Sequence, residues 1–85
     1  MKEFCYKISD SAGIHARPAG MLVRMAEGFS SNVTIEKGGN TVNLKKIIAL
    51  MQLGVVYNDT VTVSIDGSDE EPAFDSIKAF FENNL

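Results

Sequence analysis

The sequence predicts an α+β domain with the element order β-α-β-β-α-β-α, a four-stranded antiparallel sheet with three helices on one face. Three observations carry this. Apolar residues alternate with polar ones at Phe4, Tyr6 and Ile8, and again at Val61, Val63 and Ile65, the period of a half-buried strand. Apolar residues recur at helical spacing at Ala19, Leu22, Val23 and Ala26, and again at Ala73, Phe74, Ile77, Phe80 and Phe81. Gly38-Gly39 stands between two short β-like segments, as a tight hairpin turn requires. An antiparallel sheet covered on one side by helices buries all of these faces at once.

In chain order, the first strand runs through Phe4, Tyr6 and Ile8, and Ser9 to Gly13 form a loop. A helix is expected from about Ala16 to Glu27, with Gly28 as its stop. Val33 and Ile35 mark the second strand, and Val42 with Leu44 the third. A short helix from about Lys46 to Leu53 ends at Gly54, and its core-facing residues are expected to be Ile47, Leu50 and Met51 or their neighbours. Val61, Val63 and Ile65 make the fourth strand. For the last helix, Ser68 and Glu71 have capping-box spacing, but that start would put Pro72 where an N–H is needed. Asp69 as the cap keeps Pro72 in the first turn and is the preferred start.

Eighty-five residues are read as one domain, 1–85, with no room for a second core. The net charge of −3 argues against general nucleic-acid binding. Met1 to Phe4 hold no apolar run of signal-peptide length and no segment approaches a membrane span, so a cytoplasmic location without membrane insertion is expected. Cys5 stands alone, which fits a reducing compartment, and it is read as a small buried residue rather than a nucleophile. One histidine and one cysteine cannot make a usual zinc set, and no metal or cofactor is expected. The charge is uneven: acids crowd from Asp59 onward against the single base Lys78, while Arg17, Arg24, Lys45 and Lys46 fall on the first two helical segments. That asymmetry suits an anionic partner, although ordinary solvated helix charges would look the same.

The chemistry concentrates in Gly13-Ile14-His15-Ala16-Arg17-Pro18-Ala19. The only histidine precedes an arginine and a proline that start a helix. The unpaired amides and positive dipole end of a helix N-terminus favour an anion, and a guanidinium matches phosphate oxygens. A neutral imidazole there is a nucleophile suited to take and release a phosphoryl group. A lone histidine is otherwise most often a surface or core residue; its register with Arg17 and Pro18 reverses that reading.

With this run the chain resembles the HPr family, the histidine-containing phosphocarriers of the bacterial phosphoenolpyruvate:sugar phosphotransferase system. Thr41-Val42-Asn43-Leu44-Lys45, followed by Ile47, Met51, Leu53 and Gly54, fits the segment around the family's second helix. The resemblance covers essentially the whole chain from Phe4 onward. It implies the family's open-faced sandwich, a monomer, and a carrier that is a substrate in a relay rather than an enzyme. It implies phosphorylation of His15 at Nδ1, with the amides of Ala16 and Arg17 and the Arg17 side chain holding the phosphoryl oxygens. It also implies docking of enzyme I and of sugar-specific enzyme IIA domains through Arg17, Arg24, Lys46, Ile47, Ile48 and Met51.

The chain departs from the family at Lys46, where many members carry a serine that a dedicated kinase phosphorylates in many Gram-positive bacteria. Lysine cannot take part in that switch and would favour an acidic partner surface. Ala12 replaces a frequently polar residue, and Gly20 interrupts the first helix. Two other functions stay open on the residues alone. One is a regulatory binding module of the same fold, docking to a transcription factor or enzyme. The other is a small acylphosphatase-like hydrolase of similar topology.

Overall fold

The parity of the strands decides which side of the sheet each residue serves. The computed structural model describes every residue from Met1 to Leu85. Strands β1 (Lys2–Lys7), β2 (Asn32–Lys37), β3 (Asn40–Asn43) and β4 (Thr60–Asp66) form one antiparallel sheet in the order β1-β4-β2-β3. Across it, Phe4 opposes Val63, Val63 opposes Ile35, and Ile35 opposes Val42. This row faces the helices, and Phe4, Val63 and Ile35 are buried. One residue along, Cys5 opposes Thr62, Thr62 opposes Glu36 and Glu36 opposes Thr41, a polar row on the uncovered face. The two faces differ because side chains alternate along every strand.

Cys5 therefore corrects the expectation that it is buried. It is exposed, with its Sγ 3.5 Å from Thr62 Oγ1. The alternation that sends Phe4 and Ile8 inward sends Cys5 outward.

Helix α1 (Ala16–Glu27) has the predicted limits and buries Ala19, Leu22, Val23 and Ala26. Gly28 caps it with φ −72°, so the helix stops without a left-handed residue. Helix α3 (Glu70–Asn84) starts after Asp69, as the Pro72 argument required, and buries Ala73, Ile77, Phe80 and Phe81. The Phe81 ring meets Phe4 and Tyr6 edge-on with centroids 5.5 Å away, an arrangement that aligns ring edge with ring face. Asp69 does not cap its own helix. It accepts hydrogen bonds from the amides of Ser30 (2.8 Å) and Ser31 (2.9 Å) and from the Ser31 hydroxyl, tying the start of β2 to the start of α3. These bonds, the Ser31 hydroxyl first among them, lower the Asp69 carboxyl to about 2.

Helix α2 (Ile47–Gln52) is shorter than predicted and corrects the expected core face. Leu50 alone of its residues is buried, at 1% exposure, while Ile48 is 66% exposed and Ile47 and Met51 are also open. A helix of six residues lying over the edge of the sheet can press only one side chain into the core. Leu44, predicted in the third strand, lies just past β3 but is fully buried, its amide donating to the Val33 carbonyl at 2.9 Å. The hairpin turn Gly38-Gly39 has positive φ at both residues, 56° and 86°, the primed geometry that fits the twist of its strands. The result is the open-faced sandwich, with helices on one face and a polar sheet surface on the other.

Candidate functional site

The loop from Ile8 to His15 is held by main-chain bonds at both ends and in its middle. The amides of Ser9 and Asp10 donate to the Leu85 carbonyl oxygen at 2.6 and 2.8 Å, joining the loop to the end of α3. Asp10 closes a local turn, its Oδ1 accepting the Ala12 amide at 2.8 Å and its carbonyl the Gly13 amide at 3.0 Å. The Ile14 amide then donates to the Val55 carbonyl at 3.1 Å. Gly13 has φ 66°, and a Cβ there would strike the Val55 carbonyl oxygen and lie 2.7 Å from Val56 Cα. Only glycine fits a chain that must both turn left-handed and touch another backbone.

His15 is the N-cap of α1, extended at φ −95° and ψ −179°. Its carbonyl accepts the Ala19 amide at 2.9 Å and begins the helix, while its side chain makes no capping bond. The imidazole is thus free, and the amides of Ala16 and Arg17 point from the first turn without helical partners. Pro18 follows with no N–H to satisfy.

The His15 side chain is about half exposed, and its Nε2 lies 4.0 Å from Asp10 Oδ2. That is longer than a hydrogen bond, so the Asp10 carboxylate stands near the Nε2 edge of the ring without bonding it. Asp10, His15, Arg17, Pro18, Met21 and Asn84 line an open cleft of about 290 Å³. Arg17 is exposed and holds no ion pair, so its guanidinium is available to an anion in that cleft. The sequence reading missed Asp10, Met21 and Asn84. Asp10 carried a signal, an acid in a loop five residues before the histidine; Asn84 reaches the site only through the tertiary packing of α3.

Of the residues expected to dock partners, Arg24, Lys46, Ile47, Ile48 and Met51 are all exposed. A groove of about 300 Å³ between α1 and α2 is lined by Gly20, Val23, Arg24, Glu27 and Ile47. Nothing lies within 4 Å of where a Gly20 Cβ would stand, so this glycine opens the groove. Lys45, expected on the second helical segment, lies before α2. Its Nζ donates to the Phe29 carbonyl at 2.7 Å and fastens the segment after β3 to the end of α1. No cluster of three or more potential metal ligands exists, and no helix is long and apolar enough to cross a membrane.

Comparison with known proteins gives a consistent set of relatives. The PTS-HPr family model, described as the PTS HPr component phosphorylation site, matches residues 2–83. The chain is 46% identical over 85 residues to the phosphocarrier protein HPr of Mycoplasma genitalium, covering 99% of this chain and 97% of the relative. Among solved structures, HPr from Thermoanaerobacter tengcongensis superposes with a TM-score of 0.93 at 40% identity, covering 98% of this chain and 93% of the other. A histidine-containing phosphocarrier protein of Mycoplasma superposes with a TM-score of 0.93 at 35% identity, covering 96% and 93%.

Proposed function

Because the chain belongs to the HPr family of phosphocarrier proteins, we propose that it works as one domain, 1–85, that takes a phosphoryl group onto His15 from phosphorylated enzyme I and passes it to sugar-specific enzyme IIA domains. The family carries phosphoryl groups within the phosphotransferase system and is not a family of enzymes. The carrying observation is the uncapped His15 imidazole at the open N-terminus of α1, with unpaired first-turn amides and an exposed Arg17 lining the same cleft.

In the proposed step, the Nδ1 lone pair of His15 attacks phosphorus in line with the donor bond. The Nδ1–P bond forms as the donor–P bond breaks, and the bonding pair leaves with the donor. The amides of Ala16 and Arg17 bind the equatorial oxygens, and the Arg17 guanidinium stabilises their charge. Asp10, beside Nε2, offsets the positive charge that develops on the ring. The reverse sequence delivers the group to the acceptor, which needs the same open cleft. A carrier that must meet successive partners works best as a cytoplasmic monomer, and Arg24, Lys46, Ile47, Ile48 and Met51 are the exposed residues available to dock them.

The test is incubation with phosphoenolpyruvate, magnesium and enzyme I, beside His15→Ala, read by intact mass. One acid-labile phosphoryl group on the wild type alone is expected. No gain while enzyme I itself is phosphorylated would defeat the proposal. Mass spectra under native conditions and sedimentation check the monomer.

A further inference from the structure

The segment Gly54–Asp59 forms the floor against which the His15 loop is set, and a lysine from the far end of β2 holds it. Gly54 and Asn58 are both left-handed, with φ 70° and 75°, so the segment is a tight loop with no ladder of its own. At its far end, the Ile8 amide donates to the Asp59 carbonyl at 2.8 Å and the Asn58 amide to the Ile8 carbonyl at 3.0 Å. At its near end, Lys37 Nζ donates to the Gly54 carbonyl at 2.6 Å and pairs with Asp59 Oδ2 at 2.8 Å. The same Asp59 oxygen accepts the Val56 amide at 2.8 Å. Without Lys37, Gly54 itself keeps the long bond from its amide to the Met51 carbonyl at 3.3 Å, and the buried Val55 side chain is the neighbouring anchor.

Val55 lies between these ties, and its carbonyl receives the Ile14 amide. Gly13 rests on the Val55–Val56 backbone with no space for a Cβ. A shift of this floor therefore carries Ile14 and His15 with it. We propose that Lys37 is a positioning residue for phosphoryl transfer, clamping Gly54 and Asp59 so that Val55 holds the His15 loop in register with the N-terminus of α1. The inference rests on the carrier role proposed for His15. Lys37 also lowers the Asp59 carboxyl below its usual range, chiefly through this bond, with the Val56 amide adding to it.

The experiment compares Lys37→Met, which removes charge and donors at similar length, with Lys37→Arg, which restores both. Steady-state phosphorylation by enzyme I separates kcat from KM, and amide exchange of Ile14 reads the loop directly. Lys37→Met is expected to lower kcat about tenfold with KM within about twofold, because a small misplacement of the nucleophile slows transfer without weakening docking. Its Ile14 amide should exchange faster, and Lys37→Arg should return both values towards wild type. A rise in KM with kcat unchanged, or an Ile14 amide as protected as in the wild type, would overturn the proposal. If Lys37→Met does not fold, Asp59→Ala carries the same two readouts. If wild-type His15 takes no phosphoryl group, the carrier reading fails, and the Ile14 amide still decides whether Lys37 sets the loop.

Discussion

The Ile14 amide and the Val55 carbonyl are joined across 41 residues of sequence by a bond of 3.1 Å, and Gly13 makes that approach possible. Alanine at Gly13 would need a left-handed φ of 66° and would drive its methyl into the Val55–Val56 backbone. Strain and overpacking together should remove roughly 2–4 kcal/mol of stability. Thermal denaturation of Gly13→Ala should show a midpoint lower by about 8 °C or more. A midpoint equal to the wild type would mean that the loop can leave Val55 at no cost.

Helix α2 lets stability be separated from the proposed docking. Leu50 is its one buried residue, so Leu50→Ala should lose about 2–5 kcal/mol through lost burial and the cavity left behind. Ile48, 66% exposed, contributes little to the core, and Ile48→Ala should stay within about 0.5 kcal/mol of wild type. Enzyme I binding should show the opposite order for folded protein: Ile48→Ala weakened, Leu50→Ala nearly intact. Chemical denaturation and titration calorimetry on the two variants check both halves.

Much of this was legible in the sequence, and the limits of the rest are physical. α1 has twelve residues with a proline at its start, and its apolar stripe marked both ends. Pro72 placed the cap of α3 at Asp69, because proline tolerates only the first turn. In α2, six residues give less than two turns, and periodicity cannot choose Leu50 over Ile47 or Met51. Cys5 is a different case: the alternation around it points outward, and the usual burial of cysteine does not outweigh it. The motif gave His15, Ala16 and Arg17 because helix entry is a local event. Asn84 reaches the cleft and Val55 the His15 loop, as Lys37 reaches Gly54, through tertiary packing, which one-dimensional spacing does not encode.

Acid should loosen the joint between β2 and α3. The Asp69 carboxyl titrates at about 2 in the folded chain, against an ordinary value of 3.8. A lowered carboxylate stabilises the fold above its unfolded value, and that contribution is lost as protons bind on the way down. Stability should therefore fall between about pH 4 and pH 2. Asp69→Asn should be less stable at neutral pH and show a flatter acid limb. An unchanged limb in urea titrations across that range would count against Asp69 as its source.

Lys46 should set stability against association. It is the N-cap of α2, makes no capping bond and places a cation at the positive end of the helix. Lys46→Ser removes that repulsion and supplies a hydroxyl cap, so it should stabilise the chain by about 0.5–1 kcal/mol. If Lys46 meets an acidic partner, the same change should weaken enzyme I binding by about two- to fivefold and reduce its salt dependence. Affinity measured at low and high salt tests this, and equal affinity of the two proteins at both would remove Lys46 from the interface.

Asp10 offers the sharpest test of how the ring is prepared. Its Oδ2 is 4.0 Å from His15 Nε2, while its Oδ1 accepts the Ala12 amide. Asparagine can keep the turn through its carbonyl oxygen and lose only the charge. Two effects then compete. The carboxylate offsets positive charge on the ring during attack by Nδ1, which speeds transfer. It also repels the incoming phosphoryl oxygens, which slows it. The carboxylate sits on the Nε2 side, whereas in the proposed step the phosphoryl group bonds to Nδ1 on the opposite side of the ring, so the attraction acts at shorter range. Asp10→Asn should therefore slow transfer from phosphorylated enzyme I by roughly three- to fivefold at low salt, with a smaller effect as salt screens this half-exposed pair. Quench-flow at two ionic strengths reads the sign directly: a faster variant would show that repulsion wins and that Asp10 restrains the carrier.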